Sequence, residues 1–182
     1  MKKKMLEVAG AMVVAVVAAL SLAPGAAQAG NNSRPLTGQL DVTNVAECVF
    51  NATFTGLICD VSLDGSINVT HLGNGSMTGL TQVEVSIVPG SCVQMTDEIG
   101  HAVWTAANGD VINWDIVANV SCDGDFNAQY VVSDDDPGTG RFADAVGEID
   151  VSGQIIPVVN DFLNLVFTSV SPDLEVSGWL GY

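Results

Sequence analysis

Apolar and polar residues alternate with a period of two along most of this 182-residue chain beyond its first 29 residues. From Val61 to Val69, the odd positions are mostly apolar and the even positions are polar. Successive side chains of a β-strand point to opposite sides, so this alternation is typical of strands that bury one face. The pattern recurs at 83–87, 112–120 and 149–155, and more weakly at 36–43, 48–58, 126–133, 161–169 and 174–182.

Short segments with turn chemistry separate these runs, because glycine after Asp or Asn and proline before glycine supply the φ angles of tight connections. They are Asp64-Gly65, Asn74-Gly75, Pro89-Gly90, Asn108-Gly109, Asp123-Gly124 and Asp136-Pro137-Gly138. The first pair is also compatible with a bulge. About eight to ten strands joined by hairpins can bury their inner faces as a sandwich or a closed barrel. We favour an all-β, antiparallel closed barrel of roughly eight strands, because closure removes exposed edges.

An outer-membrane barrel has the same period and is the alternative to weigh. Its apolar set would face lipid, and aromatic girdles would mark both interfaces. The runs in this chain are short, irregularly spaced and poor in such aromatics, although the terminal Trp179-Leu180-Gly181-Tyr182 would suit a girdle. The sequence therefore favours a barrel whose apolar residues face inward.

The N-terminus has the three parts of an export signal. Lys2, Lys3 and Lys4 are positively charged, residues 8–22 are apolar, and Ala27-Gln28-Ala29 is a small-x-small cleavage pattern. The apolar part is too short to span a bilayer comfortably, so no stable membrane span is expected. The sequence predicts a signal peptide over 1–29, a single domain over 30–182, and a secreted or periplasmic protein.

The predicted mature domain is strongly acidic. It has no lysine and only two arginines, Arg34 and Arg141, against 20 carboxylates, which leaves a formal charge of −18. Phosphate backbones and anionic lipids are repelled by such a surface, so nucleic acid is excluded as a partner. Chemistry that needs a lysine nucleophile is excluded as well.

Four cysteines lie in the predicted mature domain, namely Cys48, Cys59, Cys92 and Cys122. An even number of cysteines in an exported domain predicts disulfides, and the absence of a CxxC pair argues against a zinc or redox motif. Three pairings are possible. We favour Cys48 with Cys59 and Cys92 with Cys122, because neighbouring strands of a meander lie close together.

The segment Gly138–Ile149 reads GTGRFADAVGEI. It resembles a GTGRFAxAxG motif found in secreted bacterial β-barrel proteins and, more loosely, in allene oxide cyclase and dirigent-like barrels. Residues 70–73 and 106–110 resemble two further segments of the same bacterial group. This resemblance implies an eight-stranded barrel with a central cavity and no particular reaction. The chain departs from the pattern at Asp144 and at Asn74-Gly75.

The glycine-rich motif also has a structural interpretation. Gly138 and Gly140 permit a sharp turn, after which Phe142 is expected to begin the next strand. A phosphate-binding loop is disfavoured, because no helix follows and the lysine of a P-loop is absent.

Four side chains are candidates for a ligand site inside the barrel. His71 continues the inward parity of the strand before it, where it could orient a polar ligand, act as a general base or serve a structural role. Trp114, Phe126 and Tyr130 would add an apolar wall with few polar groups, as in many small-molecule sites.

Catalytic and metal-binding motifs are absent from the sequence. There is no G-x-S-x-G nucleophile elbow, and the acidic run that begins at Asp123 lacks the glycine and the final glutamate of a calcium loop. The sequence therefore indicates no catalytic residues, no metal and no cofactor.

Three functions remain compatible with the sequence. The favoured one is non-enzymatic binding of a small apolar molecule in the barrel cavity. The alternatives are a cyclase or isomerase that uses His71 or a buried carboxylate, and a packed structural or surface-interaction domain without a cavity.

Overall fold

The structure is a computed structural model that describes residues 33–86, 94–121, 123–161 and 163–182. The predicted signal peptide lies outside these residues. Nine β-strands and a single 3-10 turn, Gly140–Phe142, make up the described secondary structure. The strands are β1 Arg34–Phe50, β2 Gly56–Val69, β3 Gly73–Ser86, β4 Gln94–Thr105, β5 Val111–Val120, β6 Asp125–Val132, β7 Val146–Gln154, β8 Ile156–Asp161 and β9 Val166–Gly181.

The strands form an antiparallel meander that closes on itself. Each of β1 to β6 pairs with the next strand, β7 pairs with β9, and β9 returns to pair with β1. The extra strand β8 continues along β9 beyond the end of β7, and within the described residues it pairs with β9. The predicted all-β, closed antiparallel barrel of eight strands is therefore confirmed, with one additional strand.

Apolar residues face the interior of the barrel. On β5, Ile112, Trp114, Ile116 and Ala118 are buried, whereas the alternate Val117 is exposed. This orientation is the one that the alternation of the sequence predicts, and it is the reverse of a lipid-facing barrel. No helix among the described residues is long and apolar enough to cross a membrane.

The two ends of the barrel carry different connections. At one end, which we call the closed end, lie the β2–β3 turn at 70–72, the β4–β5 loop at 106–110 and the β6–β7 connection at 133–145. At the opposite end, the open end, lie the β1–β2 turn at 51–55, the β5–β6 loop and the β8–β9 turn. The barrel axis runs between these two ends, and the packing of the interior differs from one end to the other.

The closed end is plugged by the glycine-rich connection. Phe142 is fully buried, and its ring meets that of Tyr182 edge-on at a centroid distance of 5.0 Å. The Arg141 guanidinium lies 4.6 Å from the centroid of the Phe142 ring, and its Nε lies 3.4 Å from Oδ2 of Asp110. The prediction that Phe142 begins a strand is wrong, because the chain makes a 3-10 turn there and β7 begins only at Val146.

Turn predictions were correct for some glycines and wrong for others. Asn108-Gly109 and Asp123-Gly124 lie in turns, but Gly65 lies within β2 and Gly75 within β3. A Cβ atom at Gly65 would lie 2.3 Å from the Asp41 carbonyl oxygen, and one at Gly75 would lie 2.1 Å from the Thr105 carbonyl oxygen. These two glycines therefore permit close strand approach instead of a turn. The predicted turn at 89–90 lies outside the described residues.

One of the two predicted disulfides can be assessed. Cys48 and Cys59 are paired directly across β1 and β2, with a Cα–Cα distance of 4.0 Å. The Cys48–Cys59 disulfide is thus confirmed. Cys92 and Cys122 lie outside the described residues, so the second pairing stays a prediction.

Candidate functional site

A cavity of about 600 Å³ occupies the open half of the barrel. It arises because side-chain size changes along the axis. Toward the closed end the interior is filled by large residues such as Trp104, Trp114 and Phe142. Toward the open end the inward positions carry small residues such as Ala46 and Ala118, which leave space between the strands.

The wall of the cavity is mainly apolar. It includes the buried Cys48–Cys59 disulfide and a cluster of aliphatic residues on β2 and β3. The apolar lining residues are Val42, Ala46, Cys48, Phe50, Leu57, Cys59, Val61, Leu63, Val83, Val85, Ile116, Ala118, Phe126, Ile155, Pro157, Leu165, Phe167 and Leu174. Apolar walls of this kind favour ligands that lose apolar surface to water on binding.

Tyr130 forms the bottom of the cavity, and two tryptophans pack beneath it. Tyr130 lines the cavity, and its ring centroid lies 5.8 Å from that of Trp104 and 6.3 Å from that of Trp114. The ring centroids of the two tryptophans lie 5.1 Å apart, and both side chains are fully buried beneath Tyr130. Their indole N–H groups have no hydrogen-bond acceptor among the described residues. The aromatic cluster therefore separates the cavity from the packed closed end.

The structure brings together two of the four predicted ligand-site residues. Phe126 and Tyr130, both on β6, line the cavity. Trp114 points inward as predicted, but it is packed in the core next to Tyr130 and is not part of the lining.

The predicted inward orientation of His71 is wrong. His71 is exposed and lies in the β2–β3 turn at the closed end, opposite the cavity. The φ of His71 is 67°, which is not an extended conformation. The in–out alternation of β2 therefore ends before His71. Its backbone carbonyl accepts a hydrogen bond of 2.9 Å from the Arg141 guanidinium, which ties the turn to the plug.

The wall formed by β1 and β9 carries a group of polar side chains that the sequence pattern does not predict. Asn44 Nδ2 donates to Oγ of Ser169 at 3.3 Å and to Oγ of Ser171 at 3.4 Å. All three side chains line the cavity, and Ser171 is only 2% exposed. We call Asn44, Ser169 and Ser171 the polar cluster. Thr81, Thr168 and Tyr130 provide the other polar groups of the lining.

A bulge in β9 explains why the polar cluster faces inward. Leu40 of β1 pairs with Leu174, but Val42 pairs with Ser171, so β9 carries an extra residue at this point. Asp173 has a φ of 53°, and its N–H donates to Asp41 Oδ1 at 2.9 Å. Because a bulge shifts the parity of a strand, both Ser171 and Leu174 face the interior.

The electrostatics of the cavity differ from those of the surface. None of the described lining residues is an Asp, Glu, Lys, Arg or His, whereas the predicted mature domain has a formal charge of −18. A charged ligand would lose its hydration in this cavity without gaining a counter-charge from the described lining. The cavity therefore suits a neutral molecule.

The open end has an apolar rim. The exposed large apolar residues in and near its turns are Val49, Phe50, Phe54, Ile156, Val158 and Leu163. The rings of Phe50 and Phe54 lie 5.9 Å apart. Exposed apolar groups at the mouth of a cavity are a feature of ligand-binding sites.

The β8–β9 turn at this rim is fixed by one carboxylate. Asp161 Oδ2 accepts from Asn164 Nδ2 at 2.8 Å, and Oδ1 accepts from the Asn164 and Leu163 N–H groups at 3.2 and 3.1 Å. The hydrogen bonds from Asn164 hold the pKa of Asp161 below its usual value. These hydrogen bonds therefore stabilise the ionised form of Asp161, which orders the turn.

The described lining offers little acid–base chemistry. His101, the second histidine, lies on the outer surface, where its Nδ1 is 2.6 Å from Asp115 Oδ1. No histidine or carboxylate is among the described lining residues. Within the described parts of the chain, no group of three His, Cys, Asp or Glu side chains could hold a metal ion.

The chain was compared with family models, curated proteins and solved structures, and none of them matches it.

Proposed function

We propose that this protein is an exported, non-enzymatic barrel that binds a small, neutral, largely apolar molecule in the cavity of its open half. The observation that carries the proposal is the cavity of about 600 Å³ with its mainly apolar wall. Ligand cavities commonly measure about 300–1,000 Å³ and are lined by apolar residues with a few polar groups.

The apolar wall sets the scale of the affinity. A ligand that buries about 300 Å² of apolar surface gains about 7.5 kcal/mol at roughly 25 cal/mol per Å². Loss of translational and rotational freedom offsets part of that gain. An affinity in the micromolar range or weaker follows from the apolar surface alone, since a Kd of about 1 μM corresponds to about −8.2 kcal/mol.

Export is supported by the sequence and by the disulfide. The N-terminal segment has the charged, apolar and small-residue parts of a signal peptide. The Cys48–Cys59 disulfide is consistent with an extracellular or periplasmic protein, because disulfides persist in oxidising compartments. A molecule taken up outside the cytoplasm would reach the cavity through the apolar rim.

The two alternatives have less support. A cyclase or isomerase needs a group that moves a proton, and the described lining has neither histidine nor carboxylate. A packed structural domain needs an interior filled by side chains, whereas the open half contains a cavity. Binding of an apolar molecule needs only a cavity with an apolar wall, and the open half provides both.

A titration with the neutral, solvatochromic dye Nile red tests the proposal. Wild-type protein is expected to bind the dye at one saturable site with a blue shift of its emission. The variant Ala118→Phe places a ring in the cavity, since Ala118 lines it and is 1% exposed. We expect it to weaken binding at least tenfold, or about 1.4 kcal/mol.

Val117→Phe is the matched control, because Val117 is the preceding residue of β5 and faces outward with 49% exposure. It should leave the dye affinity within about twofold, given that surface substitutions change energies by less than about 0.5 kcal/mol. Non-saturable binding, or equal loss in both variants at equal stability, would refute the cavity as the binding site.

A further inference from the structure

The polar cluster interrupts a mainly apolar wall, where Ser171 is buried and Asn44 and Ser169 are half-buried. Asn44, Ser169 and Ser171 occupy inward positions that apolar residues fill on the neighbouring parts of both strands. Burying hydroxyl and amide groups costs free energy wherever their hydrogen bonds with water are not replaced. An apolar wall at these positions would give a simpler barrel, so the polar groups call for an explanation.

The hydrogen bonds within the cluster leave part of its capacity unused. Asn44 Nδ2 donates to both serine hydroxyl oxygens, at 3.3 and 3.4 Å. Asn44 Oδ1 makes no hydrogen bond with a described residue, and neither serine hydroxyl proton has an acceptor among them. One strong acceptor and two donors thus remain for a group inside the cavity.

The cluster lies deep in the cavity. Asn44 is six residues from Phe50 at the open end of β1, which corresponds to roughly 20 Å of strand at about 3.3 Å per residue. The wall between them carries Ala46 and the Cys48–Cys59 disulfide and is apolar. An elongated molecule could therefore place a polar group at the cluster and an apolar body along the wall toward the rim.

We propose that the polar cluster binds the hydroxyl group of an otherwise apolar, neutral ligand, an alcohol or a phenol, which enters the cavity hydroxyl end first. This inference rests on the proposed function and adds the ligand's chemical class and orientation. The ligand hydroxyl donates to Asn44 Oδ1 and accepts from Ser169 or Ser171, so it uses both kinds of unused capacity.

Other polar groups fit the cluster less well. A carboxylate would be desolvated without a cation in the described lining, and an ammonium group would find no carboxylate there. A ketone accepts hydrogen bonds but donates none, so it would leave Asn44 Oδ1 unpaired in an apolar surrounding. A hydroxyl group both donates and accepts.

A pair of similar ligands tests the inference in the wild-type protein. 2-Naphthol and 2-methylnaphthalene have nearly the same shape and differ in a hydroxyl against a methyl group. Their affinities can be compared by displacement of Nile red. We expect 2-naphthol to bind roughly three- to tenfold more tightly, because its two net hydrogen bonds outweigh the apolar burial of the methyl group that replaces the hydroxyl in 2-methylnaphthalene.

Variants of the cluster locate the effect. Asn44→Leu should remove the preference for 2-naphthol while leaving the affinity for 2-methylnaphthalene unchanged or higher. Ser169→Ala should reduce the preference with a smaller change in the wall. Thr43→Val is the matched control, because Thr43 is the preceding residue of β1 and faces outward; it should keep the full preference.

Thermal unfolding separates a ligand-binding role from a structural one. If the cluster serves the ligand, Asn44→Leu should leave the Tm of the ligand-free protein unchanged or raise it, because it makes an apolar wall continuous. If Ser169→Ala lowers the Tm strongly but keeps the full preference for 2-naphthol, the cluster has a purely structural role and the inference is overturned.

The failure of this inference can be distinguished from failure of the proposed function. Equal affinity of the wild type for both naphthalenes would refute the hydroxyl preference and leave the apolar cavity as a binding site. Absence of saturable binding of Nile red and of both naphthalenes would refute the proposed function and, with it, the inference.

Discussion

Two glycines with positive φ, Gly109 and Gly140, lie in connections at the closed end but have different surroundings. Gly109 has a φ of 86° and open space around the position of a Cβ atom. Gly140 has a φ of 61°, and a Cβ atom there would lie 2.0 Å from Asp110 Oδ1. Asp110 forms an ion pair with Arg141, so the absence of a side chain at Gly140 also leaves room for this contact at the closed end.

The two alanine variants should therefore differ in stability. Gly109→Ala is expected to cost about 1 kcal/mol, the strain of a non-glycine residue with positive φ. Gly140→Ala carries the same strain and must also displace Asp110, so it should cost roughly 2–3 kcal/mol. Urea unfolding measures both, and equal losses would contradict the close approach of Asp110 to Gly140.

The candidate site could be predicted only in part, residue by residue. Phe126 and Tyr130 were found because strand parity holds throughout β6. His71 was misplaced because the parity of β2 was extended into a turn. The bulge at Pro172-Asp173 shifts the parity of β9. The local sequence pattern does not indicate this bulge, so it does not predict that the serines of the polar cluster face inward.

The β1–β2 hairpin contains a turn that the alternation of the sequence does not indicate. Residues 48–58 were predicted as one strand, but the chain reverses at 51–55. No glycine or proline occurs in that turn. Asn51 Oδ1 instead accepts from the N–H groups of Thr55 and Gly56, at 3.1 and 3.3 Å. Side-chain capping of this kind replaces the usual turn residues.

Strand β4 was absent from the predicted strands for a different reason. Ile99 is 62% exposed and Val103 is 38% exposed, whereas Ala102 and Trp104 are buried. Apolar residues on both faces obscure the period of two that identified the other strands. Its existence follows from the barrel as a whole, in which β4 joins β3 to β5.

The Cys48–Cys59 disulfide links this first hairpin and forms part of the cavity wall. The double variant Cys48→Ala/Cys59→Ala should lose about 3 kcal/mol of stability, the chain-entropy value for a short closed loop. Chemical denaturation measures the loss, and the paired substitution leaves no unpaired thiol between β1 and β2. Unchanged stability would contradict a structural role for the disulfide.

The barrel combines a packed half with a hollow one. Large aromatic residues and the Phe142 plug fill the closed half, which provides a rigid base. Small inward residues leave the open half hollow, and the apolar rim surrounds its mouth. The predicted mature domain is strongly acidic, but none of the described lining residues is charged.

NMR can locate a bound apolar molecule within the barrel directly. In a saturated complex with 2-methylnaphthalene, we expect intermolecular NOEs to the methyl groups of Val61 and Val83, which line the cavity. The outward methyl groups of Leu80 and Val117, which are 69% and 49% exposed, should show none. NOEs confined to those outward methyl groups, or no NOEs at saturation, would contradict binding in the cavity.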